Sequence, residues 1–285
     1  MLAYVKQFEK IKFIYRIFNI LKKEQIEDKT IIYIPINGNS RKKTVKRVME
    51  KLSKYLYENS VKNVILEEKL MQNKEAKNVL YSYNINILDG TKLSKFLIYN
   101  VIQKIYKYKK GRIEAGEITI LTNENNDITI ENIMLIARNT KRLNIITSNT
   151  KKFKKIVDYL YHELGILIKL SNNIKTNLNS SDIIVNMDFP EEMLNKLDIP
   201  DNAIIINVPK NTNITSKKFS GINIKGWEIE IPEKYKINGF ADYIIYEGKL
   251  YHKTAIKAFE QIEKDKIKIK NLIGINGIIN KKEFI

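Results

Sequence analysis

Two α/β lobes, the second built on a doubly wound parallel sheet, are what this sequence predicts. Short β-rich runs alternate with helically spaced apolar residues along most of the chain. The alternation is interrupted once, near Gly111. At 285 residues there is also enough chain to bury two ordinary cores.

Leu2 to Lys23 carries apolar residues at Leu2, Val5, Phe8, Ile11, Tyr15, Phe18 and Leu21, with lysines between them. That spacing predicts a basic amphipathic helix over residues 2–23. Thr30–Ile36 then reads as a strand closed by the turn residues Asn37-Gly38-Asn39, and Ser40 as the cap of a helix over Lys42–Glu58. Asn63–Leu66 is a second strand, Asn73–Leu80 a helix, and Asn84–Leu88 a third strand ending in Asp89-Gly90. Thr91–Lys109 has the length of an inter-domain helix, stopped by Gly111.

The second half repeats the cadence more cleanly. Strands are expected at Glu117–Leu121, Asn144–Thr147, Ile166–Leu170, Asp182–Asn186 and Ala203–Val208, with helices at Thr129–Lys141, Lys151–Leu164 and Glu191–Leu197. This is the rhythm of a Rossmann-like sheet. Ile222–Ile231 alternates about Lys225-Gly226, which predicts a hairpin with Trp227 as its anchor. Tyr251–Glu263 reads as a last helix. The expected division is residues 1–110, residues 111–250, and a C-terminal helix and tail over residues 251–285.

Composition narrows the function. Hydrophobic residues make up 44% and charged residues 29%, as in globular proteins. There is no cysteine, and His162 and His252 are isolated, so disulfides and thiolate or histidine metal centres are not expected. The apolar stretch Phe13–Leu21 is short and holds Arg16, which predicts a cytoplasmic protein without a membrane span. Net charge is +18, yet the arginines are only Arg16, Arg41, Arg47, Arg112, Arg138 and Arg142. Lysine spread along the chain does not make the bidentate contacts of nucleic-acid recognition. The bias also follows A/T-rich coding, so nucleic acid is not the expected partner. Residues 2–23 leave contact with a membrane surface as a lesser option.

Three stretches together resemble the shikimate dehydrogenase family. Asn63-Val64-Ile65-Leu66-Glu67-Glu68-Lys69 is similar to that family's N-V-T-I-P-H-K, and Asn86-Ile87-Leu88-Asp89-Gly90 to its N-T-D-G. Thr254-Ala255-Ile256-Lys257-Ala258-Phe259-Glu260 is similar to Q-x-A-x-A-F-E of its C-terminal helix, which implies that this helix returns to the first lobe. Ser148-Asn149-Thr150-Lys151 stands where the family has N-R-T, and Asp182–Asn186 resembles D-I-V-I-N. The resemblance implies a substrate-type first lobe and an NADP-dependent oxidoreductase acting on shikimate, 3-dehydroshikimate or a related hydroxy acid. Lys69 and Asp89 would then be the proton-transfer pair, and Asn86, Asn207 and Thr254 would face a small-molecule substrate. Ser148, Asn149, Thr150 and Lys151 would lie against the cofactor.

The sequence also departs from that pattern. Where the glycine-rich phosphate loop belongs, it reads Thr122-Asn123-Glu124-Asn125-Asn126-Asp127. The loop has no glycine to let the backbone approach a pyrophosphate, and it carries two carboxylates. Asp127 there is expected to cap the next helix. No S-x-S occurs in the N-terminal segment, Thr254 replaces glutamine, and Asn207 replaces tyrosine. The resulting expectation is a non-catalytic relative with a binding or assembly role and no cofactor, the active NADP enzyme being the alternative. Nothing in the sequence sets the oligomeric state.

Overall fold

A computed structural model describes residues 2–10, 12–26, 29–173, 178, 180–209, 212, 214, 219–230, 240, 247 and 267–284. The chain divides into two compact units: Met1–Leu93 with Ile231–Glu263, and Ser94–Glu230 with Lys264–Ile285. The expected helix over Tyr251–Glu263 lies outside the described residues, as does Thr254.

The first unit runs β1 (Leu2–Gln7), α1 (Phe13–Phe18), β2 (Lys22–Ile26), β3 (Lys29–Ile34), α2 (Lys42–Glu58), β4 (Asn63–Leu66), α3 (Glu68–Met71), α4 (Lys74–Ser82), β5 (Asn86–Ile87) and the start of α5 (Thr91–Phe96). Its sheet has the order β2-β3-β1-β4-β5. All neighbours are parallel except β2 and β3. The predicted helix over residues 2–23 is therefore wrong. Leu2 to Val5 is the central strand, with Ala3 and Val5 in the core on one face and Leu2 and Tyr4 in the core on the other. A strand buried on both faces has no polar alternation, and its apolar spacing coincides with a helical one. On the first of those faces α2 packs through Val45, Val48, Met49, Leu52 and Leu56, all buried.

The second unit continues with α6 (Ile98–Lys109), β6 (Glu117–Leu121), α7 (Asp127–Asn139), β7 (Arg142–Ile146), α8 (Lys154–Leu164), β8 (Ile168–Ser171), β9 (Ile183–Asn186), α9 (Glu191–Leu194), β10 (Ile204–Asn207) and β11 (Ile222–Ile224). Its six strands are all parallel, in the order β8-β7-β6-β9-β10-β11. Counted within the unit this is 3-2-1-4-5-6, the Rossmann order. The fold is thus a two-domain α/β arrangement with one mixed sheet and one Rossmann-like parallel sheet.

Two further expectations are corrected. The long helix over Thr91–Lys109 breaks at Leu97 into α5 and α6, and the unit boundary falls before α6 rather than after it. The second unit holds α6: Lys109 Nζ lies 3.7 Å from Asp182 Oδ1, and Asp182 Oδ2 accepts from the Glu117 N–H at 2.8 Å. Ile222–Ile231 is not a hairpin. β11 joins the parallel sheet, while β12 (Gly226–Glu230) pairs antiparallel with β13 (Lys268–Gly274), which in turn meets β14 (Gly277–Ile278). Trp227 stands opposite Leu272, a partner too distant in sequence for a local pattern to reveal.

Across the carboxyl half of the parallel sheet runs a ladder of buried asparagine amides. Asn186 Nδ2 donates to Asn207 Oδ1 at 2.9 Å, and Asn207 Nδ2 to Asn223 Oδ1 at 2.7 Å. Asn186 Oδ1 also accepts from the Phe189 N–H at 2.8 Å.

Candidate functional site

In an open α/β sheet ligands bind beyond the carboxyl ends of the strands, where strand order reverses. In the second unit that point lies between β6 and β9. The loop after β6 belongs to the dinucleotide phosphates in such folds, because its backbone N–H groups and the following helix end attract anions. Here those donors already have an anion. The Asn123 N–H points at both carboxylate oxygens of Asp188, at 2.8 and 2.9 Å, and the Glu124 N–H donates to Asp188 Oδ2 at 2.6 Å. The Thr122 hydroxyl adds a bond to the same oxygen at 3.0 Å. Asp188 comes from the loop just past β9, so one side chain spans the switch point.

The side chains of the loop are equally committed. Asn123 Oδ1 accepts from the Ser148 N–H and hydroxyl at 2.8 and 2.6 Å. Asn125 Nδ2 donates to the Lys152 carbonyl at 2.5 Å. The loops after β6 and β7 are therefore stitched together by these bonds. The helix cap is Asn126 rather than the expected Asp127: Asn126 Oδ1 accepts from the Thr129 N–H at 3.0 Å, and Asp127 is the first helical residue. Glu124 is ion-paired with Lys95 and accepts from Asn126, so its charge is partly offset. A pyrophosphate does not fit this loop, chiefly because its donors are taken. Glycine content announces the missing cradle in the sequence. Asp188 shows no comparable signal beyond being an acid after the strand that flanks β6.

Of the residues expected at the cofactor, Ser148, Asn149 and Lys151 are exposed and Thr150 is half-buried, all following β7. Asn207 is 1% exposed and belongs to the amide ladder.

In the first unit, β4 and β5 pair in parallel through Asn63 with Asn86 and Val64 with Ile87. The segments carrying Lys69 and Asp89 therefore both leave the sheet at the carboxyl ends of neighbouring strands. Lys69 does not end its strand; it lies on the exposed side of α3, because Leu70 turns into the core. Glu67 Oε2 fixes that turn by accepting from the Gln7 N–H at 2.8 Å. Asn86 is exposed, and its Nδ2 donates to Asn63 Oδ1 at 3.3 Å. Asp89 Oδ1 accepts from the Thr91 N–H at 2.9 Å at the start of α5.

Beside Asp89 the structure adds a group the sequence did not suggest. Glu247, 2% exposed, accepts from the Leu93 N–H at 3.2 Å. Burial pushes its carboxyl up to about 7, the Leu93 amide opposes this, and the neighbouring Asp89 charge adds to it. Glu247 lies 154 residues from its partner Leu93 and within no recognisable spacing, so no local pattern could have found it.

A folded-state value above the ordinary 4.5 means that the protein binds this proton more tightly when folded. The associated stability is fully present below 4.5 and is lost as pH rises through about 7. Going from about pH 4.5 to about pH 8, this one group should cost up to about 3 kcal/mol of unfolding free energy. Urea titrations of native protein and of Glu247→Gln across that range measure it. The variant should lack this part of the pH dependence, and an unchanged slope would remove Glu247 as its source.

No family model matches the chain, and no curated protein matches it. Similar solved structures include shikimate 5-dehydrogenase from Listeria monocytogenes, at 9% identity over 78% of this chain and 85% of that one, TM-score 0.33. One of the subunits of dipicolinate synthase from Bacillus halodurans is 10% identical over 77% of this chain and 72% of that one, TM-score 0.44. L-tryptophan dehydrogenase from Nostoc punctiforme is 8% identical over 93% of this chain and 76% of that one, TM-score 0.37. Likeness at these TM-scores is slight, and the Rossmann-like assignment rests on the strand order.

Proposed function

We propose that the chain is a divergent relative of the shikimate dehydrogenase family that keeps the two-domain fold and has a binding or assembly role instead of hydride transfer. The observation that carries this reading is Asp188 in the amide cradle after β6. A dinucleotide would have to expel a carboxylate bound by two backbone amides and a hydroxyl, and its own phosphates would then be repelled by the displaced acid. Hydrogen bonds to a charged group contribute about 1.5–3 kcal/mol each. Two of them make up the roughly 4 kcal/mol that separates micromolar from millimolar affinity. Among the described residues, no helix is long and apolar enough to cross a membrane.

The second reading, an NADP-dependent oxidoreductase with Lys69 and Asp89 in proton transfer, draws on both residues following the carboxyl ends of neighbouring parallel strands. Fluorescence titration with NADPH and NADH separates the two. Native protein is expected to bind neither below about millimolar concentration. A variant combining Asp188→Ala with a glycine-rich segment at 122–127 is expected to bind at least roughly ten-fold more tightly. Micromolar binding by the native protein would favour the oxidoreductase and end the non-catalytic reading.

A further inference from the structure

Among the described residues, helix α1 is held to its unit through Tyr15 and its carboxyl end. Tyr15 stacks on Phe8 with ring centroids 5.1 Å apart and planes 12° apart, and Phe8 leans on Tyr33 at 5.7 Å. Lys51 Nζ donates to the Phe18 carbonyl at 3.3 Å, and Asn19 ends the helix in the left-handed region at φ 48°. With Tyr15 turned inward, the opposite face looks out. Phe13, Ile14, Ile17 and Phe18 are 79, 54, 54 and 64% exposed, and no residue of α1 is buried. Phe13 with Ile17 and Ile14 with Phe18 are pairs four apart, which adjoin on a helix surface, and the two pairs lie side by side as one patch.

Exposed cations lie within the helix or close to it in sequence: Lys10, Lys12, Arg16 and Lys23. Among the described residues, the nearby acids Glu9 and Glu24 are matched, by Lys6 at 3.5 Å and by Lys22 at 2.7 Å. Four large exposed apolar side chains among cations are costly to leave in water.

We propose that α1 is an interfacial wedge that docks the protein on an anionic bilayer surface. Phe13 and Phe18 enter the boundary between headgroups and acyl chains, and these lysines and Arg16 meet the lipid charges. The arrangement favours this occupant over a second copy of the chain, because two such patches in contact would bring their cations together. A helix this short has too little apolar area to hold a membrane by insertion alone, so the attachment needs both parts.

Co-sedimentation with vesicles tests the proposal. The full chain is expected to pellet with an equal mixture of phosphatidylcholine and phosphatidylglycerol and to remain in solution with phosphatidylcholine alone. Added salt should weaken the binding. The double variant Phe13→Ser, Phe18→Ser should fold normally, because both side chains are exposed, yet partition roughly ten-fold or more less well. Three results would overturn the wedge. One is no pelleting with the mixed vesicles. Another is equal pelleting of the double variant, which would mean adsorption by charge alone. The third is self-association of the native chain in analytical ultracentrifugation that the double variant abolishes, which would make a second copy the occupant.

Discussion

Replacing Asp188 by alanine is expected to lower the unfolding free energy of the second unit by about 3 kcal/mol. The change leaves the Asn123 and Glu124 N–H groups and the buried Thr122 hydroxyl without their shared acceptor. The half-buried Asn123 N–H and the buried Thr122 hydroxyl lose a charged acceptor, and a donor stranded out of water costs more than the bond it once made. The Glu124 N–H, in contrast, is at an exposed position where water can replace the carboxylate. Asp188→Asn keeps one carbonyl oxygen for the cradle and should cost roughly half as much. Urea denaturation gives the size of the effect. Amide exchange should speed up at Asn123 and Glu124 before the rest of the sheet is affected. If alanine changes stability by less than about 0.5 kcal/mol, within the range of ordinary surface substitutions, the carboxylate is not holding the loop.

A comparable loss is expected from Gly221→Ala. A Cβ at that position would stand 2.1 Å from the Ala203 carbonyl oxygen and 2.9 Å from the Ala203 nitrogen. Both are backbone atoms, so no rotamer change relieves the clash. The Ala203 carbonyl also accepts from the Ile222 N–H at 3.0 Å, the bond that seats β11 against β10. Moving it away from a new methyl group lifts the edge strand. Overpacking of this kind costs about 1–3 kcal/mol, and a rigid neighbour puts this case at the upper end, about 3 kcal/mol. The midpoint of urea unfolding should fall accordingly, with faster amide exchange confined to Ile222–Ile224. Unchanged exchange there would mean that the strand adjusts without separating.

These two sites also mark where the sequence could be read and where it could not. β4, β6 and α2 fall where the pattern puts them, because each has a local signature: a short apolar run before a turn, or one buried helical stripe. β1 hides because both of its faces are buried. β12 hides its partner because Trp227 pairs with Leu272 across a stretch that no spacing spans. In the loop after β6 the missing glycines could be seen, and what replaced their ligand could not. Asp188 reaches Asn123 across 65 residues and Glu247 reaches Leu93 across 154, distances over which only the folded chain relates two side chains.

The asparagine ladder bears on how the parallel sheet avoids assembling wrongly. Asn207 faces Asn186 in one register only. A slip of one residue would set Asn207 beside Val185 or Met187 and turn its amide to the opposite face of the sheet. Each amide buried without its partner would cost about 1–3 kcal/mol. Parallel strands meet late, through contacts distant in sequence, and misaligned pairings of isoleucine-rich segments such as Ile183–Ile184 and Ile204–Ile206 would otherwise bury nearly as much apolar surface as the correct one. The two amide–amide bonds of the ladder close in only one alignment, while Asn223 Nδ2 stays buried without a hydrogen-bond partner even there, so the ladder is expected to penalise wrong sheets more than it strengthens the right one.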